Sequence, residues 1–160
     1  MKRVVAALAA VAVVASIATG VLIWRLAQTP SPQHPQISAY TDGQLARIGP
    51  YFYCNVRDLN DCDTPQTTAE LVVDRRHPVQ VSVPPAISRG LWLLASSYED
   101  GDVVQTFRAH SRMAVTVPTY DARRGKLLGI AVQLPTLARD EAGEEIPLPH
   151  AEWSIKTVWP

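Results

Sequence analysis

Hydrophobic and polar residues follow two different patterns along this chain of 160 residues. Val4 to Trp24 is a run of 21 residues without a charged side chain. Coiled as an α-helix that rises about 1.5 Å per residue, such a run spans a hydrocarbon layer of about 30 Å. From residue 37 onward, apolar and polar residues alternate in short segments, which is typical of strands that bury one face. The pattern predicts one membrane-spanning helix followed by a β domain.

We predict that residues 1–25 form a transmembrane signal anchor. Lys2 and Arg3 precede the apolar run, and positive charge stays on the cytoplasmic side, so the amino terminus is placed in the cytoplasm and the rest of the chain outside the plasma membrane, in the periplasmic space. A cleaved signal peptide is the alternative. Ala18-Thr19-Gly20 has the small-x-small form of a cleavage site, but Val21 to Trp24 adds further apolar bulk after it. The side chains expected to contact membrane lipid are those of Val4, Leu8, Val14, Ile17, Leu22 and Trp24.

A proline-rich segment, residues 26–36, separates the predicted helix from the β domain. It contains Pro30, Pro32 and Pro35 and few residues suited to a core. Proline spacing of this kind favours an extended, semi-rigid chain. The predicted organisation is an anchor over residues 1–25, a linker over 26–36 and an extracytoplasmic domain over 37–160.

Eight short segments of the domain are predicted to be strands. Glu99 to Asp102, between two of them, contains an Asp-Gly pair, which is a strong hairpin signal. Residues 43–48 and 85–89 are each predicted to form one helical turn. The side chains expected on buried faces include Val79, Val81, Val83, Met113, Val115, Val117, Leu128, Ile130, Val132 and Leu134. The predicted strands are residues 51–56, 69–74, 79–84, 91–98, 103–109, 113–118, 128–134 and 153–159.

The strand pattern predicts the fold class. Eight short strands in roughly 120 residues are typical of an antiparallel β-sandwich of immunoglobulin-like or fibronectin-like kind, and a small closed barrel is the alternative. An antibody-type domain joins its two sheets through cysteines far apart in the sequence. Here the cysteines are eight positions apart, which excludes that subtype. The fold class is therefore all-β, preceded by one transmembrane helix.

Cys54 and Cys62 are the only cysteines, and both follow the predicted anchor, on the side of the membrane where thiols are oxidised. The turn formers Asp58, Asn60 and Asp61 lie between them, so the chain is able to double back there. Zinc would require four ligands at suitable spacing, and a redox pair would normally be Cys-x-x-Cys. A structural disulfide is predicted.

The net charge of zero is the sum of two opposite parts. Residues 1–25 carry three basic side chains and no acidic one, whereas residues 26–160 carry 12 basic and 15 acidic side chains. The predicted exported domain therefore has a formal charge of −3. That charge argues against a nucleic-acid partner.

The sequence contains no recognised catalytic or phosphate-binding motif. The histidines His34, His77, His110 and His150 are scattered and are expected in exposed loops. The acidic segments 58–63 and 140–145 are expected to be solvated, because an EF-hand loop that starts at Asp58 would need glycine at position 63. A triad assembled only in three dimensions stays open. We predict no catalytic residue, no metal, no cofactor and no enzymatic activity.

Three residues are candidates for an interaction. Arg123 and Arg124 form a basic cluster with Lys126, which would either meet anionic headgroups or an envelope polymer, or be solvated. Trp159 is next to last in the chain. Either the final strand reaches the core up to its tip, or Trp159 is an apolar contact for a partner.

Several short motifs together resemble one protein family. They are the amino-terminal anchor, Tyr53-Cys54 with Cys62, Pro78 to Pro84, Leu91-Trp92, Ala114 to Pro118, Val132 to Pro135, Trp153-Ser154-Ile155 and Val158-Trp159. With them the chain resembles the actinobacterial, largely mycobacterial, domain-of-unknown-function 2771 family. The resemblance implies a membrane-anchored, exported protein and carries over no catalytic or cofactor-binding residue.

The absence of catalytic motifs and the predicted anchor favour a non-enzymatic protein of the cell envelope. We expect the domain to act as an accessory or protein-interaction subunit of a membrane complex, with another envelope protein as partner. A module that binds an envelope lipid or glycan is the alternative.

Overall fold

The computed structural model describes residues 2–27, 34–139 and 143–160 of the chain. Two units make up the chain, residues 1–33 and residues 34–160. The predicted linker, residues 26–36, crosses this boundary, and its residues 28–33 lie outside the described ones. The division of the sequence into anchor, linker and domain stays a prediction.

The first unit contains the helix α1 (Lys2–Ala27). The side chains of Val14, Ile17, Leu22 and Trp24 are each more than half exposed. Those of Val4 and Leu8 lie outside the described side chains, which in this helix are those of residues 12–25. Within the described part of the chain, no helix is both long enough and apolar enough to cross a membrane.

The second unit is built from strands and one short helix, α2 (Pro85–Ser88). The strands are β1 (Ile37–Thr41), β2 (Gln44–Ile48), β3 (Phe52–Asn55), β4 (Asp58–Asp63), β5 (Thr68–Val72), β6 (Val79–Ser82), β7 (Trp92–Tyr98), β8 (Gly101–Phe107), β9 (Ala114–Val117), β10 (Tyr120–Asp121), β11 (Gly125–Arg139) and β12 (Glu145–Val158).

These strands form two sheets. The small sheet has the order β2-β1-β6-β9, and the large sheet has the order β4-β3-β12-β11-β7-β8. Strand β10 pairs with β11, and β5 lies parallel to the second half of β12. All the other pairs are antiparallel.

One hydrophobic core joins the two sheets. It contains Val79 and Val81 of the small sheet and Trp92, Val132 and Trp153 of the large one, all fully buried. Burial alternates strictly along β7 from Trp92 to Tyr98, because successive side chains of a strand point to opposite faces. The prediction of an all-β, sandwich-like domain is confirmed.

The eight predicted strands are present, and so are the hairpin at Gly101 and the helical turn at Pro85. The helical turn predicted for residues 43–48 is wrong, because residues 44–48 form β2. Asp42 and Gly43 both have positive φ, 41° and 78°, and join β1 to β2 as a two-residue hairpin turn. Asp-Gly favours this turn, so the signal was present in the sequence.

Leu128 and Met113 were predicted to be buried, and both are exposed. Leu128 is 48% exposed because the pairing of β11 with β7 shifts register between Leu127 and Gly129. Such a bulge adds one residue to the strand and interrupts the alternation of faces. Met113 lies one residue before β9.

The predicted disulfide is confirmed: Cys54 is bonded to Cys62. The two residues face each other directly in the β3–β4 hairpin. Strand β4 itself was not predicted, because its sequence from Asp58 to Asp63 is polar and is mostly exposed in the structure. The disulfide fixes the end of β3 beside β12.

The two buried tryptophans differ in whether the indole N–H has a hydrogen-bond acceptor. Trp153 Nε1 donates to the carbonyl oxygen of Pro35 at 2.8 Å, whereas Trp92 Nε1 is buried with no partner among the described residues. We expect Trp153→Phe to lower the free energy of unfolding by about 1–2 kcal/mol more than Trp92→Phe, since only the former leaves a carbonyl without its donor. Chemical denaturation of both variants measures this difference. An equal or larger loss at Trp92 would contradict the assignment.

Candidate functional site

The hairpin of β11 and β12 extends beyond the strands that flank it. Pairing of β11 with β7 ends at Gln133, opposite Leu93. Pairing of β12 with β3 involves only Ala151 and Glu152. Among the described residues, 135–138 and 146–149 therefore pair only with each other. We call this two-stranded extension the ribbon.

A bulge marks the point where the ribbon leaves the sheet. Leu134 pairs with Ala151, but Pro135 pairs with Pro149, so His150 has no partner across the hairpin. Bulges bend a strand and re-aim the side chains that follow. His150 was expected in an exposed loop but is half-buried, and its Nδ1 is buried without a hydrogen-bond partner among the described residues. This burial lowers the pKa of His150.

Apolar side chains occupy both faces of the ribbon. Paired residues share a face and successive residues alternate. The pairs Pro135–Pro149 and Leu137–Pro147 therefore lie on one face, and Thr136–Leu148 and Ala138–Ile146 lie on the other. Leu137 is 67% exposed, and Leu148 and Ile146 are exposed too.

The Leu137 face forms one side of a shallow groove of about 330 Å³. Leu91, which precedes β7 and is 46% exposed, completes the groove with Pro135, Leu137 and Pro147. Thr136 is its one polar lining residue. The groove offers apolar contact, and none of its lining residues titrates.

On the outer face of the large sheet, the half-buried Leu93 lies between Leu91 of the groove and Ala95 along β7, with the polar Gln133 and Thr106 as its cross-strand partners. Ala131 of β11 pairs with Ala95 of β7, which pairs with Val104 of β8. Val104 is 59% exposed. These residues alternate with the buried ones, so they lie on the face turned away from the core. We call Leu91, Val104 and the ribbon together the apolar surface.

Sequence reasoning missed this surface. The strand prediction for residues 128–134 ended at the proline, whereas β11 continues to Arg139. In the sequence, Pro135 to Ala138 and Ile146 to Pro149 are both largely apolar and flank an acidic segment. This pattern could have predicted the surface. The acidic residues 140–142 lie outside the described ones.

The predicted interaction residues Arg123 and Arg124 lie at the opposite end of β11 from the ribbon. They form the turn between β10 and β11, and their backbone N–H groups donate to Asp121 Oδ1 at 2.8 and 3.0 Å. Arg124 also forms an ion pair with Asp121, at 3.7 Å. These hydrogen bonds lower the pKa of Asp121. The arrangement stabilises a charged turn.

Trp159 packs against the hydrophobic core and is half-buried. Its Nε1 donates to the carbonyl oxygen of Leu127 at 2.8 Å, and the Lys126 ammonium lies 5.2 Å from the ring centroid. The sequence left two alternatives, that the end of the chain packs against the core or that Trp159 contacts a partner. These contacts agree with the first.

A second charged turn follows β5. His77 Nδ1 lies 2.7 Å from Asp74 Oδ2 and 3.8 Å from Asp42 Oδ1. Three such ligand atoms close together could hold a metal ion. However, Asp74 Oδ1 already accepts from the backbone N–H groups of Arg76 and His77, and Oδ2 is bound to the His77 ring. We therefore interpret the cluster as an ion-paired turn. Next to it, the Arg75 guanidinium stacks 3.8 Å from the Tyr120 ring centroid.

His34 was expected to be solvated, but it contacts the domain. Its Nε2 lies 2.7 Å from Asp63 Oδ2, and its ring stacks on Tyr53 with the centroids 4.4 Å apart. Tyr53 in turn meets His150 and Trp153 edge to face. These contacts attach the start of the second unit to the disulfide-bonded hairpin.

The comparison with known proteins assigns the family. The family model described as "Protein of unknown function (DUF2771)" matches residues 30–158. The chain belongs to this family. Its match reaches from before β1 to the end of β12 and includes the ribbon. The resemblance stated from the sequence motifs is confirmed.

Mycobacterial relatives match the chain over its whole length. An uncharacterized protein of Mycobacterium tuberculosis and one of Mycobacterium bovis are each 51% identical to it over 162 residues. The match covers 99% of this chain and 100% of each relative. No solved structure matches the chain.

The His77–Asp74 pair makes a prediction about pH. The side-chain hydrogen bond to Asp74 raises the pKa of His77 above the ordinary 6.5, and the same bond, with the backbone N–H groups of His77 and Arg76, lowers the pKa of Asp74 to about 2. We expect Asp74→Asn to lower the pKa of His77 towards 6.5 in an NMR titration. Asp42→Asn is the matched control and should lower the His77 pKa less, because Asp42 lies farther away. An unchanged His77 pKa in Asp74→Asn would contradict the pairing.

The raised pKa of His77 and the lowered pKa of Asp74 determine how their contributions to stability depend on pH. The contribution of His77 to stability is complete below pH 6.5 and is lost as the pH rises through its raised, folded-state pKa. The contribution of Asp74 is present above pH 3.8 and is lost as the pH falls towards about 2.

Proposed function

We propose that this chain is a single-pass membrane protein of the cell envelope whose β domain, outside the plasma membrane, serves as a non-catalytic protein-interaction subunit of a membrane complex. The observation that carries the proposal is the apolar surface, in which leucine side chains stay exposed on a ribbon that projects past its sheet.

The anchor is supported by the sequence and by the helical conformation of α1. Val4 to Trp24 has no charged residue, and Lys2 and Arg3 precede it. The helix runs from Lys2 to Ala27, and its described apolar side chains are exposed. The disulfide agrees with an oxidising compartment. We expect the full chain to stay in the membrane pellet after an alkaline carbonate wash. Release into the supernatant would contradict the anchor.

An immunoglobulin-like topology is part of the proposal. The order β1-β6-β9 corresponds to strands A, B and E of that fold, and β12-β11-β7-β8 corresponds to G, F, C and C′. Trp92 is buried on the strand that corresponds to C, where immunoglobulin domains bury a tryptophan. Strand β2 and the hairpin β3–β4 lie between β1 and β5 and are additions to the pattern.

The exposed leucines support an interaction because monomeric domains rarely expose contiguous apolar patches. Single exposed hydrophobic residues need no explanation. Here Leu91 and Leu137 line one groove with two prolines, and the surface continues to Val104 across paired strands. Contiguity is what distinguishes this surface from chance exposure.

A non-catalytic role is supported by where the titratable groups lie. The His77–Asp74 and Arg124–Asp121 pairs belong to turns at the end of the domain that holds the start of β11. They stabilise the turns that contain them through backbone hydrogen bonds. The groove is lined by residues that supply contact area and no acid or base.

Native co-purification of the full chain in mild detergent tests the interaction. We expect Leu137→Asp to reduce the recovered partner by about tenfold or more, because a charge in the buried centre of an interface costs several kcal/mol. Leu45→Asp is the matched control. Leu45 is 62% exposed, on the edge strand β2 of the other sheet, and its replacement should leave recovery unchanged.

Two outcomes would contradict the proposal. Recovery of the chain alone at native expression, in all variants, would exclude a stable protein partner. If Leu137→Asp leaves the protein partners unchanged but removes a co-extracted lipid or glycan, the surface is a ligand site instead. If both variants are as thermally stable as the unchanged chain, neither is unfolded.

A further inference from the structure

Strand β8 forms an open edge of the large sheet. It is the last strand in the order β4-β3-β12-β11-β7-β8, and among the described residues it pairs only with β7. Its seven residues, Gly101–Phe107, include no proline and no lysine. Natural edge strands are usually protected by such residues or by being short. The edge of β8 is therefore able to accept another strand.

The other outer strands are less suited to pairing. Strands β2 and β9 have five and four residues, and Pro118 directly follows β9. Strand β4 has three aspartates in six residues, so a second copy of β4 would bring like charges together. Within the described sheets, β8 is the longest outer strand, and it lacks these protections.

The turn between β7 and β8 determines which backbone groups face the open edge. Only two residues separate the paired Tyr98 and Gly101, so this closing pair exchanges backbone hydrogen bonds. Bonded and unbonded pairs then alternate along the ladder. The N–H and C=O groups of Asp102, Val104 and Thr106 consequently point away from β7, and none of them bonds to another described backbone group.

The edge of β8 is complementary to itself in the antiparallel direction. With a two-fold axis at Val104, the free groups of Val104 face those of Val104 in a second copy. Those of Asp102 face Thr106 of the second copy, and the reverse pair completes the symmetry. Each of the three pairs is then able to exchange both backbone bonds, and no like charges are directly opposite.

The side chains match in the same register. Val104 is 59% exposed and meets Val104 of the second copy across the axis, so apolar surface is removed from water. The exposed Arg108, which follows β8, lies two positions beyond Thr106 and reaches Asp102 of the second copy diagonally. In the described part of the chain, neither Asp102 nor Arg108 takes part in a salt bridge. A strand with the opposite order of charges is what this edge fits, and an antiparallel copy of β8 supplies it.

From these observations we infer that two copies of this chain pair through β8, antiparallel and with the two-fold axis at Val104, so that the large sheet continues from one copy into the other. The inference goes beyond the proposed function and is independent of it, since the contact uses the edge of β8 and not the ribbon. Paired residues share a face, so the outer faces of the two large sheets lie on the same side.

A covalent trap tests the pairing, because one strand per copy is a smaller contact than the roughly 1,200 Å² of a stable soluble dimer. In the full chain, expressed in its own cells, Val104→Cys places two thiols opposite each other. Their Cα atoms are then about 5.5 Å apart, a distance that a disulfide spans. Cys54 and Cys62 are already bonded to each other. We expect a species of twice the mass of the chain on a non-reducing gel, which a reductant removes.

Thr106→Cys is the matched control, because Thr106 is exposed on the same strand and the same face. In the inferred register its Cα atoms in the two copies are about 14 Å apart, which is too far for a disulfide. Alone it should form no linked species. Co-expressed with a chain that carries Asp102→Cys it should form one, because these two positions face each other.

Charge reversal tests the contact between the ends of the strands. In the Val104→Cys chain, Asp102→Arg should reduce the linked fraction by about fivefold, because arginine then faces arginine on both sides of the axis. Adding Arg108→Asp should restore the linked fraction. A linked fraction that neither change affects would overturn this contact.

The remaining outcomes decide the inference without reference to the ribbon. Absence of a linked species both from Val104→Cys and from the co-expressed pair would overturn it. Equal linking from Thr106→Cys alone would overturn the register. A linked species that contains a different protein and no second copy would identify a foreign strand as the occupant and overturn the inference. The effect of Leu137→Asp on partner recovery reports on the proposed function separately.

Discussion

The pairing of β11 with β12 is the interaction on which the rest of the domain depends. The two strands have 15 and 14 residues, whereas their neighbours β7 and β3 have seven and four. The inner half of the hairpin places Val132 opposite Trp153 in the core. The outer half has no neighbouring strand among the described residues. One hairpin thus organises the core and also projects a ribbon beyond it.

The chemistry of the two ends of this hairpin differs. At the start of β11, charged side chains are matched by partners within a few residues, as Arg124 is by Asp121. Trp159 and Lys126 close the same end against Leu127. At the far end, apolar side chains are exposed beside an acidic connection. An interaction at the far end gains free energy because apolar side chains are removed from water. In the turn at the start of β11, the charged groups are already paired with one another.

Much of the domain could be predicted from local pattern. Val79, Val81 and Val83 alternate with polar residues, and all three are buried as expected. Cys54 and Cys62, the only two cysteines of the sequence, form the predicted disulfide. The failures have local causes as well. The helical turn predicted for residues 43–48 overlooks Asp42-Gly43, which is a hairpin signal. Leu128 is exposed because of a register shift in the pairing of β11 with β7, and the alternation of residue types does not reveal such a shift.

The site was harder to predict than the fold. Arg123, Arg124 and Trp159 are candidates from the sequence because of their chemical type. Their roles depend on Asp121 and Leu127, which only the folded chain brings into contact with them. The exposure of Leu137 depends on the lengths of strands β7 and β3, and these are properties of the whole sheet. Sequence alternation predicts which residues share a face but does not predict where a neighbouring strand stops.

In the proposed interaction, a partner covers the ribbon. Hydrogen–deuterium exchange of the backbone amides of the ribbon measures this protection, with the chain extracted together with its partner compared with the chain purified alone in the same detergent. We expect fast exchange in the isolated chain and strong protection in the complex, on both strands of the ribbon, with the amides of β2 unchanged. Equal exchange of the ribbon in the two samples would contradict it.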